Sequence, residues 1–580
     1  MSLHKRLSAL FVTLVSTVLL LSGAYWWLSR LVTVKLKPSL VGSWFRDVTE
    51  EVRLDFVHDP GTRVTRDFFM PAVVGSGAAV FDFDSDGRMD ILLLQNGGPE
   101  SLSINRLFQQ GADHTFSDVS SGSGLDVAGF GMGVAVGDVN NDGFPDVLIT
   151  EYGGVRLFLN INGDGVFKDV TRDAGLDNPL WGTSAAYLDY DRDGWLDLAV
   201  VNYVDYDAEK SCLGKSGRRE FCGPASFEGT VTRLYRNLGP LTTATENTVA
   251  FEDMTANSGL AAAKGPGLGV VCADFNADGW SDILVANDGK ANHLWINQHE
   301  GRFEDHAILY GLGYNGAGHT QANMGVAVGD VDGDGLFDVF ITHLPGEQNV
   351  CWKQQSKGVF QDRTTQMQLA NPLWNGTGFG TILEDFDLDG DIDIAVANGA
   401  VRVPELVSTP GSDPFFGRYC ERNQLFANDG EGRFNDVSEG DPFCGQPAVS
   451  RGLACGDIFG DGGLCLLVTR VGMSARLYRY DAPRRGHWML VRAVDPALGG
   501  RDAYGAEVEI KAGERHWHRW VNPGSSFLCS NDPRTHFGLG PTEEIDLIRI
   551  IWPDGLVERF DGRATDQSIV LKKGSGTLDQ

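Results

Sequence analysis

Carboxylates recur in this chain at a spacing suited to a hard cation. The pattern Asp-x-(Asp/Asn)-x-Asp-Gly-x-x-Asp occurs six times, beginning at Asp82, Asp138, Asp189, Asp274, Asp330 and Asp385. Ca2+ takes about six to eight oxygen ligands at short range. Loop positions 1, 3, 5 and 9 offer side-chain oxygens and position 7 a backbone carbonyl. Glycine at position 6 permits the turn that wraps the loop. The expected ligands are Asp82, Asp84, Asp86 and Asp90; Asp138, Asn140, Asp142 and Asp146; Asp189, Asp191, Asp193 and Asp197. The later loops supply Asp274, Asn276, Asp278 and Asp282; Asp330, Asp332, Asp334 and Asp338; Asp385, Asp387, Asp389 and Asp393. Asn140 and Asn276 are neutral, so their loops should bind more weakly. A degenerate seventh loop runs from Asp457 to Cys465. There Phe459 and Cys465 replace two oxygen ligands, and no ion is expected. The expectation is about six Ca2+ per chain. Zinc prefers Cys and His, and Mg2+ demands tighter octahedral geometry. Metal-free Asp/Gly turns would not require the same acceptors at the same spacing in each loop. Ions at such turns would chiefly pin strand ends.

These loops must be held by repeated elements, here numbered repeats 1 to 7 by their acidic loops. In each, a small-residue strand such as Gly131-Met-Gly-Val-Ala-Val-Gly137 leads into the loop. An apolar strand follows, then an amphipathic one such as Arg156-Leu-Phe-Leu-Asn160, then a Phe-x-Asp strand. Phe-x-Asp occurs at Phe45, Phe116, Phe167, Phe251, Phe303, Phe360 and Phe434. Four short strands per unit predict an all-β fold, a seven-bladed β-propeller. Phe45-Arg-Asp47 has no acidic loop before it, and the loop at Asp457 has no Phe-x-Asp after it. The N-terminal strand should therefore complete the last blade and close the ring. Two long gaps between loops hold insertions, from Tyr203 to about Thr232 and from Val401 to about Arg422. Such insertions map to loops and often to a binding face.

The chain has 580 residues and a net charge of −30. Much of that acidity lies in the loops, and no basic footprint points to nucleic acid. His4, Lys5 and Arg6 precede an apolar run from Leu7 to Leu28, flanked by Tyr25, Trp26 and Trp27. That run is long enough to span a bilayer. It reads as a signal anchor, or alternatively as a cleaved signal peptide, for which Ser22-Gly23-Ala24 is a poor site. Lys/Arg asymmetry places the N-terminus in the cytoplasm, weakened by Arg30, Lys35 and Lys37 beyond the span. Either reading exports the remainder, where external Ca2+ can fill weak sites. Export also permits disulfides among nine cysteines. Cys212–Cys222 is the best pair. Cys420–Cys444 and Cys455 with Cys465 are further candidates, while Cys272 and Cys351 sit in strands as buried thiols.

From about Gly486 the acidic repeats stop. His487–Arg492, Ala506–Lys511 and Ile545–Trp552 read as strands of a separate small β domain. The expected organisation is a membrane or signal segment at 1–30, a propeller at 31–485, the β domain at 486–573 and a tail at 574–580. The tail, with its Gly and Ser from Lys572 on, is expected to be loose. His516-Trp-His518 could offer two ligands to a transition metal, though an exposed polar face explains it as well. His293, His319 and His343 lie near blade ends and could line an axial catalytic site. No nucleophile or acid–base pair can be picked out beside them. Trp181, Trp195, Trp280, Trp295 and Trp374 could stack on sugars. Core packing is the simpler role, with Trp195 and Trp280 set apart by their place at loop position 7.

The acidic loops followed by Arg-Leu-Phe/Tyr and Phe-x-Asp resemble the FG-GAP/VCBS repeats of integrin α-subunit propellers. Closer still is the cartilage-acidic-protein family of the ASPIC/UnbV type. The insertion with Asn202-Tyr-Val-Asp-Tyr206, Arg218, Arg219, Glu220 and Cys222-Gly-Pro224 carries that resemblance. So do Ser525–Ser530, His536-Phe-Gly-Leu-Gly540 and Trp552-Pro-Asp-Gly555. The resemblance implies Ca2+ ligation by the loop residues named above and an ASPIC/UnbV-like C-terminal domain.

The resulting expectation is an exported, membrane-tethered, calcium-loaded propeller that binds a protein or glycan ligand at the cell surface. The alternative is an extracytoplasmic hydrolase or lyase acting on polysaccharide. A deep axial pocket with convergent acid and base groups would favour the enzyme, and a broad insertion face the binder.

Overall fold

The computed structural model describes residues 43–579 apart from 215–216, 241–248, 372–373, 375, 403–414 and 483–485. The expected N-terminal anchor lies outside the described residues. Among those described, no helix is long and apolar enough to cross a membrane.

Each repeat folds as a four-stranded antiparallel meander. In repeat 2, Gly131–Gly137 pairs with Asp146–Glu151, which pairs with Gly154–Asn160, which pairs with Phe167–Asp169. The first strand is buried at every residue. It must be small because neighbouring first strands converge. A Cβ on Gly133 would lie 2.4 Å from the Thr183 carbonyl oxygen of repeat 3. The first strands touch in cyclic order from repeat 1 to repeat 7 and back to repeat 1, giving a propeller-like all-β array.

The Phe-x-Asp strand is short because its aspartate ends it. Asp169 accepts from the Thr171 backbone N–H at 3.0 Å and the Thr171 hydroxyl at 2.6 Å. Asp47, Asp118 and Asp362 do the same for Thr49, Ser120 and Thr364. A side chain that mimics a backbone turn stops the strand, while the phenylalanine two residues earlier is buried. Phe45–Asp47 pairs with Arg476–Tyr480, as the displaced motif predicts, and joins the sheet of repeat 7. Asp441 anchors this closure by accepting from the backbone N–H groups of Trp44 and Phe45 at 2.6 and 3.0 Å.

The C-terminal segment forms two sheets. His487–Asp495 pairs with Thr535–Gly540 and, in parallel, with Gln567–Lys572. The second has the strand order Arg515–Trp520, Glu507–Ala512, Glu544–Ile551, Val557–Ala564, Thr577–Leu578. The tail is thus not loose. Thr577 and Leu578 extend a sheet, and Asp579 pairs with Arg549 at 3.0 Å and Arg559 at 2.5 Å. Nor is this segment separate in packing. Its core, including Met489, Ile510, Trp517 and Phe537, is continuous with Ala135, Leu148, Tyr187 and Leu198 of repeats 2 and 3.

The strongest contact between the two parts is a loop of residues 522–532 threaded down the axis of the array. It bonds to a first strand of every repeat. Ser530 exchanges bonds with Ala78 and Val80 at 3.0 Å each. Val134 N–H donates to the Leu528 carbonyl at 3.1 Å, and Leu528 N–H to Ser184 Oγ at 3.3 Å. Asn522 Nδ2 donates to the Cys272 carbonyl at 2.8 Å. Ser526 pairs with Val326 both ways at 2.7 and 3.0 Å, and its Oγ accepts from Thr381 N–H at 3.0 Å. Asn531 Oδ1 accepts from Cys455 N–H at 3.0 Å. First strands have one edge without a sheet partner, and buried backbone groups must be satisfied. The loop meets such groups in six repeats and the Ser184 hydroxyl in repeat 3, with Ser526 and Leu528 held at φ 74° and 60°.

The other end of the axis is covered by the helices Arg63–Asp67 and Met70–Val74. Met70 and Val74 join Phe527, Leu528, Met132, Met324 and Phe379 in one cluster. Arg451 is fully buried there and donates to the carbonyls of Val73, Gly399, Ser450 and Ala400 at 2.8, 2.7, 2.8 and 3.2 Å. Both insertions meet over these helices. Tyr419 of the second donates to Glu220 of the first at 2.7 Å, and Phe68 lies 5.2 Å from Phe221 and 5.7 Å from Phe415.

Cys212 and Cys222 form the predicted disulfide. The other proposed pairs do not form. Cys444 is a buried free thiol. Cys455 and Cys465 are also free, because Gly456, not Cys455, stands opposite Cys465, so the two thiols point to opposite faces. Cys272 and Cys351 are buried thiols, as expected.

Two substitutions test this architecture by denaturant unfolding of the chain. Phe527→Ala should destabilise by about 3–5 kcal/mol, the range for a buried phenylalanine. Arg451→Met should remove about 3 kcal/mol or more, since its acceptor carbonyls lose their donor. A change below about 1 kcal/mol at either site would show that the axis is not packed as described.

Candidate metal centres

The acidic loops all lie where first strands pass into second strands, and so at the end of the array opposite the insertions, which follow second strands. In each loop the position 1 aspartate folds the turn. Asp138 Oδ1 accepts from Asp142 N–H at 3.1 Å and Oδ2 from Gly143 N–H at 2.8 Å. The same clamp recurs at Asp82, Asp274, Asp330 and Asp385. Position 6 glycines adopt φ from 82° to 99° in the six full loops. Position 4 is left-handed too, at Ser85, Asn141, Arg192, Ala277 and Leu388. The motif does not restrict that position, so nothing in its residue types disclosed the second constraint.

The position 9 aspartates have a further role. Asp90, Asp146, Asp197, Asp282, Asp338 and Asp393 are at most 1% exposed. In repeat 2, Asp146 Oδ2 accepts from Val139 N–H at 2.9 Å, and Oδ1 from Asn160 N–H at 2.8 Å. The other five repeat both bonds. The residue so held at the end of the third strand is always Asn or Gln, and its amide crosses to the preceding repeat. Gln110, Asn160, Asn237, Asn297, Gln354 and Asn428 donate to the position 2 carbonyls of Ile458, Phe83, Val139, Tyr190, Phe275 and Val331 at 2.7–2.9 Å. The sequence reading missed this latch; the Asn or Gln recurring at the end of these third strands is the signal that could have disclosed it.

Carboxylate oxygens converge in the loops. Those of Asp82, Asp84 and Asp86 lie within 4.8 Å of one another, as do those of Asp189, Asp191 and Asp197, of Asp330, Asp332 and Asp338, and of Asp385, Asp387 and Asp393. In repeats 2 and 4, Asn140 and Asn276 donate to Asp142 and Asp278 at 2.8 and 2.9 Å. Burial, reinforced by neighbouring carboxylates, pushes Asp82, Asp138, Asp189 and Asp274 up to about 6. Asp90 rises to about 8 for the same reason, and Asp146, Asp197, Asp282, Asp338, Asp385 and Asp393 lie well above the carboxylate range. Asp189 Oδ1 and Asp332 Oδ1 are buried without a hydrogen-bond donor. Buried, crowded carboxylates of this kind are relieved either by protonation or by a bound cation. The donors are all oxygen, which fits Ca2+ and not a thiolate or imidazole metal.

The seventh loop keeps the turn without the donors. Asp457 still accepts from Asp461 and Gly462 N–H groups at 3.2 and 2.9 Å. Arg479 pairs with Asp461 at 2.8 Å and lies 4.2 Å from the Phe459 ring. Arg534 donates to the Asp457 carbonyl at 3.0 Å. Guanidinium groups occupy the surroundings that carboxylates fill elsewhere, and Cys465 takes position 9 fully buried.

The remaining candidates disperse. His343 is buried against Asn323 at 2.9 Å, and burial lowers it to about 3. His293 stands edge-on to Trp295, and His319 is exposed. They share no axial cleft, because residues 522–532 fill the axis. His516 and His518 pair with Glu509 and Glu507 at 2.7 and 3.0 Å. His518 also stacks on Phe337 and contacts the Gly335 carbonyl at 3.2 Å, so it is a docking residue rather than part of an exposed face. Trp181 and Trp295 are core residues, 2% exposed. Trp280 carries the Arg192 guanidinium at 3.9 Å and the His299 ring at 4.6 Å.

Comparison with known proteins follows these divisions. Residues 498–578 match the family model described as ASPIC and UnbV. Residues 82–149, 138–200, 274–341 and 330–396 match the FG-GAP-like repeat. Cartilage acidic protein 1 of Xenopus tropicalis is 24% identical over 516 residues, covering 84% of this chain and 71% of that protein. That of Homo sapiens is 23% identical over 566 residues, covering 93% and 78%. Integrin alpha-8 of Mus musculus is 24% identical over 194 residues, covering 31% and 18%. The chain therefore joins FG-GAP-like repeats to an ASPIC and UnbV region, and is similar along most of its length to cartilage acidic protein 1.

Proposed function

We propose that this chain is an exported, calcium-loaded, seven-bladed propeller that acts by binding, as an adhesion or scaffold protein at the cell surface. The observation that carries this reading is the filled axis. A loop from one side and two helices from the other occupy the channel where a propeller enzyme would hold its substrate. The relief that remains is the insertion face, where Phe68, Phe415, Arg219 and Arg418 stand together over the buried Phe221. A protein or glycan ligand is the proposed partner there, and the apolar N-terminal run the proposed membrane tether. In the loops, the 24 side chains named from the sequence would hold about six Ca2+, which supply positive charge to carboxylates that burial otherwise disfavours.

The enzyme alternative has one feature in its favour. Tyr203 donates to Asp288 at 2.5 Å beside Arg402 in a cavity under the insertions, and burial raises Asp288 to about 6. That cavity is only about 50 Å3. It is far below the size of an ordinary ligand pocket, so binding remains the reading adopted.

Metal analysis of the ectodomain, residues 31–580, after dialysis against Ca2+ should find about six ions per chain. EDTA should lower its Tm sharply, and an unchanged Tm would sink structural calcium. The pH dependence has a definite sign. A carboxylate raised on folding stabilises the calcium-free chain below its unfolded value, and that contribution is lost as pH rises through the folded value. Here the window runs from the ordinary carboxylate range through about 6 to 8. The rise in Tm on adding Ca2+ should therefore be larger near about pH 8 than near about pH 5. A rise independent of pH would mean that other groups bind the ion. The binding role is tested by replacing 206–228 with a short Gly-Ser turn. Cell-surface or matrix attachment should be lost at unchanged calcium content, and retained attachment would move the ligand site elsewhere.

A further inference from the structure

One position in the repeat varies with the loop it faces. It is the residue just before the Asn/Gln latch, at the end of each third strand. In repeats 1, 3, 5 and 7 it is Gln109, Arg236, Lys353 and Arg479; in repeats 2, 4 and 6 it is Leu159, Ile296 and Ala427. The polar members reach into their own acidic loops. Gln109 Nε2 donates to Asp84 at 2.6 Å. Arg236 pairs with Asp191 at 2.7 Å and Asp193 at 3.0 Å. Lys353 pairs with Asp332 and, at 3.0 Å, with Asp334. Arg479 pairs with Asp461 in the loop that has lost its donors. The apolar Leu159 and Ile296 are instead buried, at 1% and 2% exposure, beside loops whose position 3 is Asn140 or Asn276. Repeat 6 departs from this pairing, with Ala427 opposite Asp387.

In repeats 2 to 5 the pairing equalises charge. Repeats 3 and 5 have four ligand carboxylates and one strand cation. Repeats 2 and 4 have three carboxylates, one neutral amide and no strand cation. We propose that Arg236 and Lys353 are resident cations that set the affinity of their loops for a divalent ion. The ion must displace them from the carboxylates at positions 3 and 5, so the loops of repeats 3 and 5 bind no more tightly than the asparagine loops. This rests on the calcium reading above and adds the residues that grade it. It also supplies a route by which a loop becomes permanently metal-free. Once donors are lost, as at Phe459 and Cys465, Arg479 and Arg534 face the two carboxylates that remain, Asp461 and Asp457.

The test uses Tb3+ as the probe on the whole ectodomain, with luminescence sensitised by Trp195 at position 7 of repeat 3. Trp195→Phe identifies that loop's share of the signal. Arg236→Leu should raise its affinity about tenfold, since a like charge a few ångströms from the ion is removed. Arg236→Gln should do the same, and Arg236→Lys should keep the wild-type value. In the reverse direction, Ile296→Arg should weaken the repeat 4 loop, read through Trp280. Calcium titration of Lys353→Leu gives an independent reading in repeat 5, and stands in if Arg236→Leu does not fold. Affinity unchanged or lowered in both leucine variants would overturn the proposal and leave calcium binding intact. A wild-type chain that takes up neither Tb3+ nor Ca2+ would instead overturn the calcium reading itself.

Discussion

The structure depends on a buried carboxylate used twice. At position 9 of each full loop an aspartate, shielded from water, accepts one backbone N–H from its own loop and one from the end of the third strand. The first bond fixes the shape of the ligand loop. The second fixes the Asn or Gln whose amide grips the preceding repeat. Loop geometry and inter-repeat contact are therefore not independent. A cation that neutralises the carboxylate lowers the penalty of burying it, and so strengthens a seam between repeats as well as a turn. The last repeat shows what happens without it. Cys465 stands where the aspartate would be, Tyr480 where the amide would be, and closure relies on Phe45–Asp47 and Asp441.

The C-terminal segment reads that same set of loops from outside. Arg501 donates to Asn141 at 3.0 Å, Trp517 to the Gly390 carbonyl at 3.1 Å, and His536 contacts the Gly462 carbonyl at 3.0 Å. Each of these partners lies inside an acidic loop. The docking surface is thus made of loop groups, two backbone carbonyls and the Asn141 side chain, that metal ligation would order. The axial loop then extends this docking through the array, from the acidic-loop end to the helices under the insertions. At the far end Phe527 and Leu528 pack with Met70 and Val74 of the covering helices.

The repeat grammar was legible because it is local. Spacing, the Phe-x-Asp signature and the displaced first strand are properties of short segments, and the pairing of Phe45 with Tyr480 follows from their order. The position 6 glycine was legible because no other residue takes that φ as readily. What the sequence concealed depends on long-range packing. Ser525–Ser530 has no strand periodicity, and its residue types do not disclose that it is buried. It is buried only because seven first strands present unsatisfied edges to the axis. Cys455 and Cys465 bracket a turn and invite a bridge, yet a one-residue register difference turns them apart. The tail looks like a linker and is ordered by Arg549 and Arg559 on a strand it must first reach.

These differences bear on how function is assigned to such a fold. A repeated propeller-like array offers a channel by default, and histidines or tryptophans near its ends invite a catalytic reading. Here the channel is taken by the chain's own backbone, and Trp181 and Trp295 are spent in the core. The chemistry that remains exposed lies at the two ends. At one, acidic loops face strand cations in repeats 3, 5 and 7. At the other, two insertions of different length and one disulfide build an aromatic and arginine-bearing surface that no repeat contains. Residues that recur in every unit serve the ring, whereas residues that interrupt the period are released from that duty. The insertion face is therefore where selection for a partner can act without breaking the array.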